Sequence, residues 1–158
     1  MLDTIRDFLA QKRIAVVGVS RNPKDFNTRL FLDLRQAGYD AVPVNPHAKT
    51  AGGVPCFDRV QAISPPVDGV LILTPATTTE AVVRDCLEAG VRRIWMYRAV
   101  GPGAVSQSAV ALCEKNGVSV VAGGCPYMFL PNTQWFHRLH GLLLKLVGKY
   151  PSVSTSQP

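Results

Sequence analysis

The sequence has no C-x-x-C pair, no long block of one charge sign and no apolar run approaching the roughly 18 residues of a membrane-crossing helix. Its four cysteines, Cys56, Cys86, Cys113 and Cys125, are scattered singly, which argues against a zinc knuckle. No basic stretch followed by an apolar one opens the chain, so a secreted disulfide framework is also disfavoured, and reduced thiols in the cytoplasm are expected. The 17 Lys and Arg residues give a net charge of +6 but never run longer than the pairs Lys12-Arg13 and Arg92-Arg93. Cations spread in that way describe a solvated surface, so neither a nucleic acid nor a membrane is expected as partner. The carboxylates form no pair suited to acid–base work, and His137 and His140 have no third ligand near them to make a metal site. No catalytic or metal-binding residue is assigned.

What is present is a chain of 158 residues, 47% hydrophobic and 18% charged, enough for one domain with a full core. The expected domain spans residues 1–150, and the Ser-rich stretch 151–158 reads as a disordered tail. A short helix is expected over Asp3 to Gln11, capped by Asp3 or Thr4. Ile14 to Gly18 reads as a strand buried on both faces. Leu30, Phe31, Leu34 and Ala37 then share a helical face that Gly38 ends, with Asp25, Asn27 or Thr28 as its cap.

Tyr39 to Pro46 is a second strand, expected to be irregular because Pro43 lacks a ladder donor. The glycine-containing stretch 47–56 reads as a loop, and Phe57 to Ile63 as one or two helical turns. Gly69 to Pro75 is a third strand. The helix after it, capped by Thr77, Thr78 or Thr79, has Ala81, Val82, Cys86 and Leu87 inward. Arg93 to Tyr97 is the fourth strand, a helix carries Val105, Ala109, Leu112 and Cys113, and Val118 to Val121 is the fifth. Five strands alternating with helices through short connections imply an α/β fold, a single Rossmann-like doubly wound parallel sheet of about five strands with flanking helices. Trp135 to Val147 forms an amphipathic closing helix that covers the sheet or joins a second copy into a homo-oligomer.

In such a sheet ligands bind beyond the carboxyl ends of the strands, and the unusual residues gather there. Strand, Gly18 and helix start in succession aim backbone amides at a phosphate. A dinucleotide fingerprint needs G-x-G-x-x-G and an acid after the second strand, whereas this chain has Gly18-Val19-Ser20-Arg21-Asn22-Pro23 and Asn45-Pro46. NAD therefore fits poorly.

The order of Val16-Val17-Gly18-Val19-Ser20, Pro23, Pro43-Val44-Asn45-Pro46, Gly53-Val54-Pro55-Cys56 and Leu73-Thr74-Pro75 resembles the stand-alone CoA-binding domain proteins. These are similar to the N-terminal, CoA-binding half of the succinyl-CoA synthetase alpha subunit, and the resemblance covers residues 3–125. It implies non-covalent binding of coenzyme A or an acyl-CoA. On that basis the loop holding Gly18, Val19, Ser20, Arg21 and Lys24 takes the phosphates of the 3′-phospho-ADP portion. Asn45 and Pro46 follow the second strand, and His47 or Lys49 stands where the synthetase has a lysine. Thr74 and Pro75 line the adenine or pantetheine path, and Met96, Tyr97 and Arg98 touch CoA. Arg21, Lys24, Arg29 and Arg98 make a basic mouth suited to the phosphates.

The chain departs from the synthetase in having Arg98 where an acid stands, and from Cys125 onward; its phosphohistidine domain has no counterpart here. Two other readings stay open: an NADP-binding redox protein or sensor, and a thiol acyl- or disulfide-exchange protein using Cys125. The bland reading of Cys125, a small buried hydrophobe, is the stronger one, and Cys86 and Cys113 read as core.

Overall fold

The computed structural model describes residues 1–130. Five strands, β1 (Arg13–Val17), β2 (Asp40–Val44), β5 (Gly69–Ile72), β6 (Arg93–Met96) and β7 (Ser119–Ala122), pair in parallel in the order β2-β1-β5-β6-β7. Alternation along these strands divides the core in two. Ile14, Val16, Leu71, Trp95 and Val121 face α1 (Leu2–Leu9) and α2 (Phe26–Gln36), where Ile5, Phe8, Leu30, Phe31 and Leu34 meet them. Ala15, Val17, Val70, Ile72, Ile94 and Met96 face α3 (Ala76–Glu88) and α4 (Gln107–Lys115) through Val83, Cys86, Ala109 and Cys113. Helices on both faces explain why the strands are continuous apolar runs rather than alternating ones.

Several local expectations are corrected. Pro43 does not disturb β2, which pairs with β1 along its whole length. Its carbonyl accepts from the Phe57 amide on the outer side, so its own nitrogen faces outward too and no ladder donor is missed. The stretch after β2 is not wholly loop: β3 (Thr50–Ala51) and β4 (Val54–Pro55) form a hairpin turned by Gly52 and Gly53, at φ +57° and +76°. Between Phe57 and Ile63 there is a single 3-10 turn, Val60–Ala62.

In α3 Thr79, Val83 and Cys86 are buried and Val82 and Leu87 pack partly buried against the same core, while Ala81 is exposed. No threonine caps that helix. Pro75 is the N-cap, and the Thr78 and Thr79 hydroxyls donate back to its carbonyl. Met1, not Asp3 or Thr4, is the N-cap of α1, whereas Asp25, one of the three expected candidates, is the N-cap of α2; neither caps its helix through a side-chain hydrogen bond. Ala37 is an exposed C-cap rather than a core residue, and Gly38 at φ +97° ends α2 as expected. The closing helix, His137 with His140, and the tail lie outside the described residues.

The chain passes from β1 through α2 to β2 on one side, then crosses to β5 on the other side of β1. The connections leaving β1 and β5 therefore part in opposite directions and open a crevice above their carboxyl ends.

Candidate functional site

The crevice is built on the turn after β1. Three successive carbonyls of that turn are held by side chains from neighbouring elements. The Asn27 amide donates to the Gly18 carbonyl at 2.8 Å, the Asn45 amide to Val19 at 2.8 Å, and the Thr28 hydroxyl to Ser20 at 2.9 Å. A trans peptide carries its N–H opposite its C=O, so fixing these carbonyls fixes the amides of Val19, Ser20 and Arg21 pointing the other way. Those amides donate to no acceptor among the described residues. Beside them begins α2, without a side-chain cap on its first turn. The Val19 amide is enclosed with the rest of its residue, whereas those of Ser20 and Arg21, next to a helix N-terminus, make an anion cradle.

Gly18, at φ +96°, closes the floor against the next strand over. A Cβ there would stand 3.0 Å from Thr74 Cγ2 and 3.2 Å from the Thr74 amide nitrogen. Thr74 itself has a fully buried hydroxyl with no hydrogen-bond partner. A buried hydroxyl without a partner is costly, and one beside an amide cradle suits a site completed by a polar ligand.

Around the cradle Arg21, Lys24 and Arg29 are exposed, and none is in an ion pair among the described residues. Asn22 shapes the loop: its amide donates to Ser20 Oγ, and its Oδ1 accepts from the Lys24 amide. Pro46, His47 and Lys49, with Cys56 and Asp58, line an adjoining open cleft of about 580 Å³. Asn45 joins cleft and cradle, because its Oδ1 accepts from the His47 amide while its Nδ2 holds Val19. The Cys56 thiol donates weakly to the Phe57 carbonyl at 3.6 Å, and burial raises its pKa above the ordinary value.

At the far end of the crevice, Tyr97 stacks on Phe26 with ring centroids 5.2 Å apart. Phe26 also meets Tyr127 edge-on at 5.9 Å, and the Tyr127 hydroxyl donates to Asp33. Burial, followed by the neighbouring Cys125 thiol, pushes the Tyr97 pKa up to about 12. Burial also raises the pKa of Cys125, outweighing the opposing influence of the Tyr127 backbone and Tyr97, so the thiol stays protonated at neutral pH. Cys86 and Cys113 are buried with raised pKa values, as expected of core thiols.

Not every candidate reaches the crevice with its side chain. Met96 and Val19 are wholly enclosed in the core, backbone included, so both support the site from beneath rather than meeting a ligand. The Arg98 guanidinium lies against Gly123, within 3.5 Å of where a Cβ would stand, and so leans toward β7 rather than joining the cations near β1. Asn27 and Thr28, cap candidates by sequence, instead hold the Gly18 and Ser20 carbonyls. No cluster of three or more metal-ligating side chains exists among the described residues.

Residues 12–131 match the family described as the CoA binding domain. The chain belongs to that family. The Bacillus subtilis protein YneT is 29% identical over 114 residues, 72% of this chain and 82% of that protein. The alpha subunit of the ADP-forming acetate–CoA ligase II of Pyrococcus furiosus is 26% identical over 126 residues; these are 75% of this chain and 27% of that subunit. Among solved structures, a hypothetical protein from Pyrococcus horikoshii OT3 superposes with a TM-score of 0.73 at 25% identity, covering 79% of this chain and 86% of that one. A conserved hypothetical protein from Pyrococcus furiosus gives a TM-score of 0.65 at 30% identity, over 73% of this chain and 96% of that one.

Proposed function

We propose that this CoA-binding-family domain binds coenzyme A or an acyl-CoA non-covalently, with the pyrophosphate on the amides of Ser20 and Arg21. The observation that carries this is the set of three carbonyls tied back by Asn27, Asn45 and Thr28, which aims the amides of Ser20 and Arg21 at an anion. Arg21, Lys24 and Arg29 add charge, the Thr74 hydroxyl waits beneath the cradle, and the cleft with His47 and Lys49 takes the 3′-phosphate end. Catalysis forms no part of this proposal. Four free cysteines suit a reducing compartment, so the proposed location is the cytoplasm.

The test is thermal unfolding with CoA, dephospho-CoA and NADPH. A ligand at one hundred times its Kd stabilises the fold by about 2.7 kcal/mol, which for a chain of this size raises Tm by roughly 5–10 °C. Stabilisation by CoA above that by NADPH supports the reading; no shift with millimolar CoA overturns it.

A further inference from the structure

Resting on that CoA reading, we propose that the carboxyl ends of β6 and β7 receive the acyl end of the ligand, and that Arg98 there selects acyl groups ending in a carboxylate. A connected surface leads to this point from the phosphate cradle. Phe26, at the start of α2 beside the cradle, packs on Tyr97; Tyr97 directly precedes Arg98; and Arg98 lies over Gly123 with its amide on the Gly124 carbonyl. Phe26 and Tyr97 give an aromatic wall for an uncharged arm.

The dimensions agree. From β1 to β7 there are three inter-strand steps, roughly 14 Å. An extended pantetheine arm, at ordinary covalent bond lengths, spans about 15 Å. With pyrophosphate on the β1 turn, the sulfur and whatever it carries arrive at the ends of β6 and β7.

Arg98 is exposed and stands in none of the ion pairs among the described residues. Its place is nevertheless defined. The Arg98 amide donates to the Gly124 carbonyl at 3.3 Å, and the guanidinium rests on Gly123, whose carbonyl the Trp95 indole holds at 2.9 Å. A Cβ on Gly123 would stand 3.5 Å from both Nε and Nη2 of Arg98, which is ordinary contact and places the guanidinium directly over that residue. A guanidinium fork pairs two N–H groups with a carboxylate and has nothing comparable to offer a methyl group.

Calorimetric titration of the full chain with CoA, dephospho-CoA, acetyl-CoA and malonyl-CoA tests this, in the wild type, Arg98→Ala and Arg98→Lys. Malonyl-CoA is expected to bind roughly fivefold tighter than acetyl-CoA, as for a partly exposed charge pair. Arg98→Ala should remove that ratio while CoA itself changes less than about twofold, and Arg98→Lys should keep part of the ratio. Equal affinity for malonyl- and acetyl-CoA in the wild type overturns this inference alone, as does a preference that survives Arg98→Ala. If Arg98→Ala instead weakens CoA and spares dephospho-CoA, Arg98 is a phosphate ligand and the inference fails. Absence of binding by any CoA form sinks it together with the CoA reading.

Discussion

Replacing Asn45 by Asp changes one atom type at the point where cradle and cleft meet. Asn45 donates from Nδ2 to the Val19 carbonyl at 2.8 Å and accepts at Oδ1 from the His47 amide at 2.8 Å. A carboxylate keeps the second bond and loses the first, placing a negative oxygen against a carbonyl of a fully buried residue. The lost bond costs about 1 kcal/mol and the carbonyl left facing the carboxylate about as much again, so the expected destabilisation is roughly 2 kcal/mol. Thermal unfolding should show Tm lowered by about 4–8 °C.

A pH dependence comes with it. The carbonyl favours the protonated carboxyl in the fold, raising its folded pKa above the unfolded value of about 3.9. Between those values the folded state holds more protons than the unfolded one, so the deficit grows as pH rises and is complete above the folded pKa. Below the unfolded pKa the carboxyl donates the bond again and the deficit vanishes. Denaturant unfolding of wild type and Asn45→Asp at pH 4 and pH 7.5 measures this directly. CoA affinity should also fall about tenfold at neutral pH, because the same peptide carries the Ser20 amide. A deficit of the same size at both pH values, with CoA affinity intact, would refute the account of Asn45 as the clamp of the cradle.

Gly18→Ala and Gly38→Ala compare two glycines at nearly equal φ, +96° and +97°, of which Gly38 has nothing within 4 Å of a new Cβ. Denaturant titration should give a loss of about 1 kcal/mol at Gly38, from backbone conformation alone, and about 3 kcal/mol at Gly18, where Thr74 backbone must move. Arg21→Ala combined with Lys24→Ala should leave unfolding within about 0.5 kcal/mol of wild type, since both side chains are exposed, yet weaken CoA about tenfold and flatten its salt dependence. At alkaline pH, ultraviolet titration should show Tyr97 ionising near its raised value of about 12 in the folded state. Unfolded tyrosine ionises near pH 10, so the contribution of Tyr97 is whole below about pH 10 and is lost as pH climbs toward 12. Ionisation of Tyr97 at its ordinary pH, with the protein still folded, would contradict the enclosure described.

Much of the fold was legible because it is carried by local pattern. Val16, Leu71 and Trp95 lie in apolar runs that only a sheet covered on both faces accommodates, and Gly38 and Gly90 end helices at the expected places, with φ +97° and +74°. What escaped was decided by a neighbour across the sheet. Whether Pro43 spoils β2 depends on which side of the strand faces β1. Whether Ala81 or Val83 is buried depends on how α3 is rolled on the sheet, and apolar spacing admits both. The β3–β4 hairpin was signalled by Gly52-Gly53 between two short extended pairs, a two-residue turn brief enough to pass for loop.

For the candidate site, the chain itself determined the parts: a strand-ending glycine followed by a polar turn, Asn-Pro and Thr-Pro at later strand ends, and scattered cations near them. Those features are sequential, and the preferences of glycine, proline and buried strands act over a few residues. Only tertiary structure decided which parts form one surface, because strand order sets β5 and not β2's successor beside β1. It brought Thr74 under Gly18, turned Asn27, Asn45 and Thr28 onto three consecutive carbonyls, and carried Arg98 away from the other cations to rest on Gly123. A hydrogen bond from Asn45 to Val19 spans 26 residues, and no local rule can specify a partner that the crossover connection supplies.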